Sequence, residues 1–303
     1  AFSAAITASP RMVQRFFLTY PGLARLVGTI TAQWAVNTEE LLSRFLKDRS
    51  AIDAAFPVLA GRALSRVDGT GADLHDHGRQ VLRLGFEGGG RLIYKPRPVA
   101  VDVSYQALLA WLNRTGECPW MRPIGLLDQG DYGWFEFVEN TPVEASGQVA
   151  EFYRRQGVHL ALLYILKATD FHFENVIASG EHPMLIDLET LYHGDGREKD
   201  AYPPTPAQAA LRHSVYQTGL LPGWSEGDRF NPGPDISGVG GREGQHFRTK
   251  GEVIVEDEAG GLQVEWRRQE VEQRANRPRL DGEAVNPGLY REAVREGFQR
   301  CYR

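Results

Sequence analysis

Cysteine, lysine and long apolar runs are scarce in this chain of 303 residues. Its two cysteines, Cys118 and Cys301, are too few for a disulfide framework or a thiolate zinc site, which fits a reducing, cytoplasmic setting. No apolar stretch is long enough to span a bilayer, so no transmembrane segment is expected. Positive charge is not in excess: a formal net charge of -5 and a pI near 6.0 argue against nucleic acid as a partner. Internal repeats and low-complexity tracts are missing too, and 42% hydrophobic with 24% charged residues describes an ordinary globular chain with one or two cores. The start, AFSAAITASP, lacks an initiator Met and the build of a secretory signal, and the chain stops in a helix-like pattern. A segment of a larger polypeptide is therefore expected. Lysine occurs only at positions 47, 95, 167, 199 and 250, which makes any lysine inside a motif conspicuous.

What is present is a sequence of alternating patterns. Residues 10 to 60 repeat apolar side chains at three- and four-residue steps, through Phe16, Phe17, Leu23, Leu26, Leu41, Leu42, Phe45 and Leu46, and predict a helical lead-in. Val81 to Phe86 and Arg91 to Lys95 alternate around Glu87-Gly88-Gly89-Gly90, a hairpin pattern closed by Pro96 and Pro98. A helix is expected from Asp102 to Asn113, capped by Asp102 or Ser104, then an aromatic strand from Tyr132 to Val138. A second helix should run from about Ser146, as its cap, to Lys167. After Glu189 the Gly- and Pro-rich stretches at 203–206 and 230–241 read as long loops. A hairpin over Gly251 to Trp266 turning at Gly260-Gly261, and a last helix near Pro287, complete the pattern.

The most informative segment is DFHFENVIASGEHPMLIDLE, residues 170 to 189. Apolar runs at Asn175–Ala178 and Met184–Asp187 flank Ser179–Pro183, the composition of strand, turn, strand. Pairing them brings Asn175 near Asp187, and with Glu189 this gives hard oxygen donors suited to Mg²⁺ bridged to phosphate. Asp170, at the junction of helix and strand, is placed to accept or orient the proton of an attacking hydroxyl, with His172 beside it. Lys95, at a strand end, is a candidate for nucleotide phosphates. Each has a plain structural alternative: a turn-capping Asp170, a packed loop His172, an Asx-turn Asn175, a solvated Lys95. Strand hairpin with lysine, helix, aromatic strand, long helix, polar loop and acidic hairpin follow in the order of an α+β, two-lobed kinase-like fold. Its expected divisions are a helical segment 1–72, an N-lobe 73–140 and a C-lobe 141–303 with long inserted loops.

The stretches DLHDHGRQV (73–81), RLIYKPRPVAVDVSYQALLAWLN (91–113), WFEFVE (134–139) and ATDFHFENVIASGEHPMLIDLETLYH (168–193) resemble the dehydratase domain of class II lanthipeptide synthetases. DISGVGG (235–241) and GLYREAVREGFQRCY (288–302) match more weakly. The resemblance implies a phosphoinositide-kinase-like core, ATP and Mg²⁺ as cofactors, and a precursor peptide with a leader sequence as substrate. It implies phosphorylation of Ser or Thr and elimination of phosphate to dehydroalanine or dehydrobutyrine. It would place Lys95 on the ATP phosphates, Asp170 as base, His172 in the catalytic loop, Asn175, Asp187 and Glu189 on the magnesium side, and His75 in the active cleft. For His75 a polar turn before a strand is the alternative, and Arg97 is a further candidate for the leaving phosphate. The family's eliminating Arg and Thr, on a later segment, and its downstream zinc cyclase domain are not among these residues, so the phosphorylating half is expected without the complete eliminating half. The rival readings are a metal-dependent hydrolase and a noncatalytic, leader-binding pseudokinase scaffold.

Overall fold

The structure, a computed structural model, describes residues 9–71, 73–192, 205–223, 233–242, 244–256, 261–271 and 274–303. It mixes helix and sheet and divides into two compact units. The first comprises residues 1–98, 125–137 and 250–267; the second comprises 99–124, 138–249 and 268–303.

In the first unit the expected helical lead-in is two helices, α1 (Pro10–Thr19) and α2 (Pro21–Ala55), separated where Pro21 cannot continue the first. An antiparallel sheet follows, in the order β1 (Leu64–Gly69), β2 (Leu82–Phe86), β3 (Arg91–Lys95), β5 (Gly133–Glu136), β4 (Leu126–Asp128). Leu82 pairs with Tyr94 and Leu84 with Leu92, so alternation puts Leu84, Phe86, Leu92 and Tyr94 on one face. They pack with Leu41, Phe45 and Ile52, the buried stripe of α2, and with Trp134. Asp48 lies in that stripe without disrupting it, because its carboxylate accepts the Trp134 indole N–H at 2.9 Å. Helix α2 and the sheet share one core. Of the predicted stripe only Leu41 and Phe45 are buried, whereas Leu23, Leu26, Leu42 and Leu46 are exposed.

The second unit is built on α3 (Ala100–Thr115) and α4 (Ser146–Ile165). Helix α3 starts two residues earlier than expected, with Val99 rather than Asp102 or Ser104 at its cap, and ends at Gly116 with φ 73°. Ser146 is likewise inside α4, not its cap. The Gln148 side-chain oxygen accepts from the N–H groups of Glu144 and Ala145 at 2.7 and 3.2 Å and closes that end. Val158 and Leu163 of α4 join Tyr105 and Leu109 of α3 in the main core. The acidic hairpin is present as β6 (Val176–Ser179) and β7 (His182–Leu185), with a tighter turn than expected, Gly180-Glu181. Gly180 takes φ 56° at the first turn position, where glycine is favoured. Helix α5 (Pro206–Arg212) occupies part of the expected loop region, and α6 (Arg291–Tyr302) is the last helix, after a short turn of helix at Pro287–Tyr290. The long hairpin pairs β8 (His246–Glu256) with β9 (Leu262–Glu270), and a short one pairs β10 (Arg279–Leu280) with β11 (Glu283–Ala284). Gly260 of the expected turn, residues 203–204 and residues 230–232 lie outside the described residues.

Candidate functional site

The loop from Asp170 to Asn175 is fixed by backbone bonds on both sides. Phe171 N–H donates to Thr218 O at 2.9 Å and Phe173 N–H to Ile236 O at 3.0 Å, so alternate residues are tied to the segments around 218 and 236. Phe171 and Phe173 are buried, which leaves Asp170, His172 and Glu174 facing outward. Asp170 sits in the left-handed region at φ 67°, where few residues other than glycine settle, and its side chain is 62% exposed. Asn175 donates from Nδ2 to the Asp170 carbonyl at 2.8 Å, which closes the loop and leaves Oδ1 as its acceptor end. His172 Nδ1 accepts the Glu174 N–H at 3.2 Å, and its Nε2 stands 3.7 Å from the Asp170 carboxylate. Asp170, His172 and Asn175 are thus one constellation.

The hairpin register brings the backbone of Asp187 close to that of Asn175. Val176 pairs with Leu185, and Ile186 N–H donates to Asn175 O at 3.1 Å, so Asp187 follows directly on the residue bonded to Asn175. Glu189 is exposed in the turn after it. Among the described residues no three His, Cys, Asp or Glu side chains gather into a cation cage. The donor chemistry of Asn175 and Asp187, an amide oxygen and a carboxylate, nonetheless fits Mg²⁺, which is usually held by one or two carboxylates with water and substrate phosphate completing the shell.

Lys95 and His75 belong to the first unit. Lys95 lies one residue past Tyr94, on the other face of β3, and is buried at 6% exposure, with Nζ 4.5 Å from the Phe135 ring centroid. A solvated strand end is overturned: an ammonium placed this deep requires compensating groups. His75 opens a tight turn closed at both ends by backbone bonds with Arg79, each 2.8 Å, and its side chain is exposed. Arg79 bonds Glu40 of α2 at 3.1 Å and Asp76 at 2.8 Å, and so anchors the turn. Arg97 donates to Pro98 O at 3.3 Å.

A family model described as a domain of unknown function, DUF4135, matches residues 20–303. The chain belongs to the DUF4135 family. It is also 32% identical over 193 residues to the lacticin 481/lactococcin biosynthesis protein LcnDR2 of Lactococcus lactis subsp. lactis, a match covering 60% of this chain and 20% of the relative. The chain thus matches about a fifth of that relative's length. Together these likenesses bear out the resemblance to the dehydratase region of class II lanthipeptide synthetases. The DUF4135 match takes in every candidate residue and leaves out α1.

Other residues of this DUF4135 chain hold the constellation, and sequence reasoning missed them. Asn276, at 1% exposure, donates to the carbonyls of Gly238 and Gly240, both at 3.0 Å, and braces the segment that pairs with Phe173. Arg155 and His159 of α4 bond the hairpin itself: Arg155 donates to Glu181 O at 2.9 Å, and His159 bonds Pro183 O at 2.9 Å and the Tyr105 hydroxyl at 2.7 Å. A histidine inside the apolar run Val158–Leu163 was the one signal available in the sequence. No helix among the described residues is long and apolar enough to cross a membrane.

Proposed function

We propose that this chain phosphorylates Ser and Thr hydroxyls of a precursor peptide from ATP and contributes to eliminating the phosphate, as the dehydratase part of a lanthipeptide synthetase with a two-lobed, kinase-like fold. The observation that carries the reading is the exposed Asp170 carboxylate at the head of a fixed loop whose Asn175 reaches back to it, in a chain of this family. Asp170 orients the peptide hydroxyl and takes its proton as the oxygen bonds to the γ-phosphorus and ADP leaves. Lys95, buried and cationic, offsets phosphate charge. Asn175 Oδ1 and the Asp187 carboxylate hold Mg²⁺, with Glu189 at the rim. When bound there, Mg²⁺ would supply positive charge against the charge developing on the transferred phosphoryl group. In elimination a base removes the α-proton, the C–O bond breaks and phosphate departs, leaving the dehydro residue. His75 and Arg97 are the candidates of this chain for that step. The leader-bearing peptide, a cyclase domain acting afterwards and a cytoplasmic setting with ATP belong to the same reading.

The test is incubation with ATP, Mg²⁺ and a Ser/Thr-bearing precursor peptide from the same gene neighbourhood, read by mass spectrometry. Wild type should add phosphoryl groups, whereas Lys95→Met and Asp170→Ala should lower transfer by at least about a hundredfold. Undiminished transfer by either variant would overturn its assignment. Peptide binding without release of ADP would favour a leader-binding scaffold, and peptide hydrolysis needing metal but no nucleotide would favour a hydrolase.

A further inference from the structure

The β6–β7 hairpin has two strands of four residues each, too small to hold a fixed geometry by itself. Its buried side chains, Val176, Ala178, Met184 and Leu185, secure it to the second unit, but apolar burial is non-directional and tolerates small slides. Directional bonds tie β6 and Gly180 to Arg122, Asn140, Thr141 and Ala275, while Glu181 and Pro183 are bonded by two residues one helical turn apart on α4. Arg155, at 7% exposure, donates to Glu181 O at 2.9 Å and to its carboxylate at 3.1 Å, while its Nε donates to Trp120 O at 2.8 Å. One planar guanidinium therefore grips the tip of the hairpin.

His159, at 3% exposure, grips the second strand. A carbonyl only accepts, so the bond to Pro183 O puts the ring proton on Nε2. Burial pushes the histidine pKa down to about 4, so the ring is neutral and its Nδ1 accepts from the Tyr105 hydroxyl. The strand is shaped for this grip. Ala178, opposite Pro183, sends its N–H away from β7 to Ala275 O at 2.6 Å, so the pair is of the non-hydrogen-bonded kind. The missing N–H of Pro183 therefore costs the ladder nothing, and its carbonyl points outward to α4.

We propose that Arg155 and His159 form a clamp that sets the hairpin against α4 and so fixes Asn175 and Asp187, with His159 a positioning residue acting through Pro183 and oriented by Tyr105. The proposal rests on the reading above for what Asn175 and Asp187 hold. Asp187 follows Pro183 by four residues, so a tilt of β7 is transmitted directly to its carboxylate.

The test compares His159→Phe, which keeps a planar aromatic ring but loses the donor and the acceptor, with His159→Gln, whose amide N–H reaches the same carbonyl, in the whole protein. Hydrogen exchange by mass spectrometry reads the hairpin, and thermal stabilisation by ATP against Mg²⁺ concentration reads its cation site. His159→Phe should speed exchange over residues 180–190 about tenfold, leave the β2–β3 hairpin unchanged and raise the half-saturating Mg²⁺ about tenfold. His159→Gln should stay within about threefold of wild type on both. Wild-type exchange in His159→Phe, an unmoved Mg²⁺ midpoint, or a His159→Gln protein as impaired as His159→Phe would overturn the clamp. Should His159→Phe fail to fold, Tyr105→Phe is decisive: faster exchange over the same segment supports the clamp and unchanged exchange overturns it. If wild type shows no stabilisation by ATP and Mg²⁺, the phosphoryl-transfer reading falls, and exchange still decides the clamp.

Discussion

Asp170 combines two properties that a single substitution can separate. Its backbone is left-handed at φ 67° and its carboxylate is exposed. Asparagine settles in that region about as readily as aspartate, but its amide cannot take a proton. Asp170→Asn should therefore melt within about 1 °C of wild type, whereas Asp170→Ala should be less stable by about 1 kcal/mol. Both should lose phosphoryl transfer by at least about a hundredfold. A fall in melting temperature for Asp170→Asn equal to that for Asp170→Ala, seen by circular dichroism, would make the carboxylate a structural group instead. The spacing of Asp170, His172 and Asn175 was legible in the sequence because their mutual bonds close within five residues. The grip of Asn276 on carbonyls 38 and 36 residues away was not, since nothing local marks such a partner. Nor was the burial of Lys95, because alternation along β3 gives the face of a residue but not what covers it.

Helices α4 and α6 meet backbone to backbone at two glycines. A Cβ at Gly297 would lie 1.8 Å from Arg154 O, and one at Gly157 would lie 2.0 Å from Val294 O. Neither carbonyl is free to rotate away, so a methyl group must push the helices apart, and the 2.9 Å Arg154–Glu296 ion pair with them. Gly297→Ala and Gly157→Ala should each cost about 2–3 kcal/mol, lowering the melting temperature by about 5–10 °C despite the better helix propensity of alanine. Combined they should cost less than their sum, because one separation of the helices accommodates both methyls. Wild-type melting of Gly297→Ala would mean that the helices do not approach this closely. At this scale the sequence was most readable where pattern and punctuation agree, as in β2–β3 and β6–β7, each bounded by glycine or proline. Strand β1 escaped because its mostly exposed residues carry no apolar alternation. Helix α5 escaped although its capping box is written in Thr205 and Gln208, which bond each other's backbone N–H groups at 2.9 and 3.3 Å. Prolines around it favoured a loop reading.

The two units should respond differently to acid. His159 and His182 both lie in the second unit, and burial above all lowers each to a pKa of about 4; for His182 the nearby Arg155 and Arg122 add to this against Glu181. His182 Nδ1 is buried and takes no hydrogen bond among the described residues, so protonation brings it no partner. In the unfolded chain a histidine titrates near 6.5, so between that pH and about 4 the unfolded state binds protons that the folded state refuses. The contribution of the neutral rings is therefore complete above pH 6.5 and is lost as the pH falls toward 4. For the fully enclosed His159 the loss reaches about 2 kcal/mol by pH 5. Glu296, lowered by its bond to Arg154, keeps its contribution through most of this window and loses it only below its ordinary value of 4.5. In the first unit the described histidines, His75 and His77, are exposed. Lowering the pH from 7 to 5 should therefore speed hydrogen exchange in α4 and β6–β7 by tenfold or more, once intrinsic rates are corrected, while β2–β3 changes less. His159→Phe should flatten that dependence, because the ring that refuses the proton is gone. Equal acceleration in both units would place the acid sensitivity elsewhere than in these histidines, and an unchanged slope in the variant would place it elsewhere than in His159.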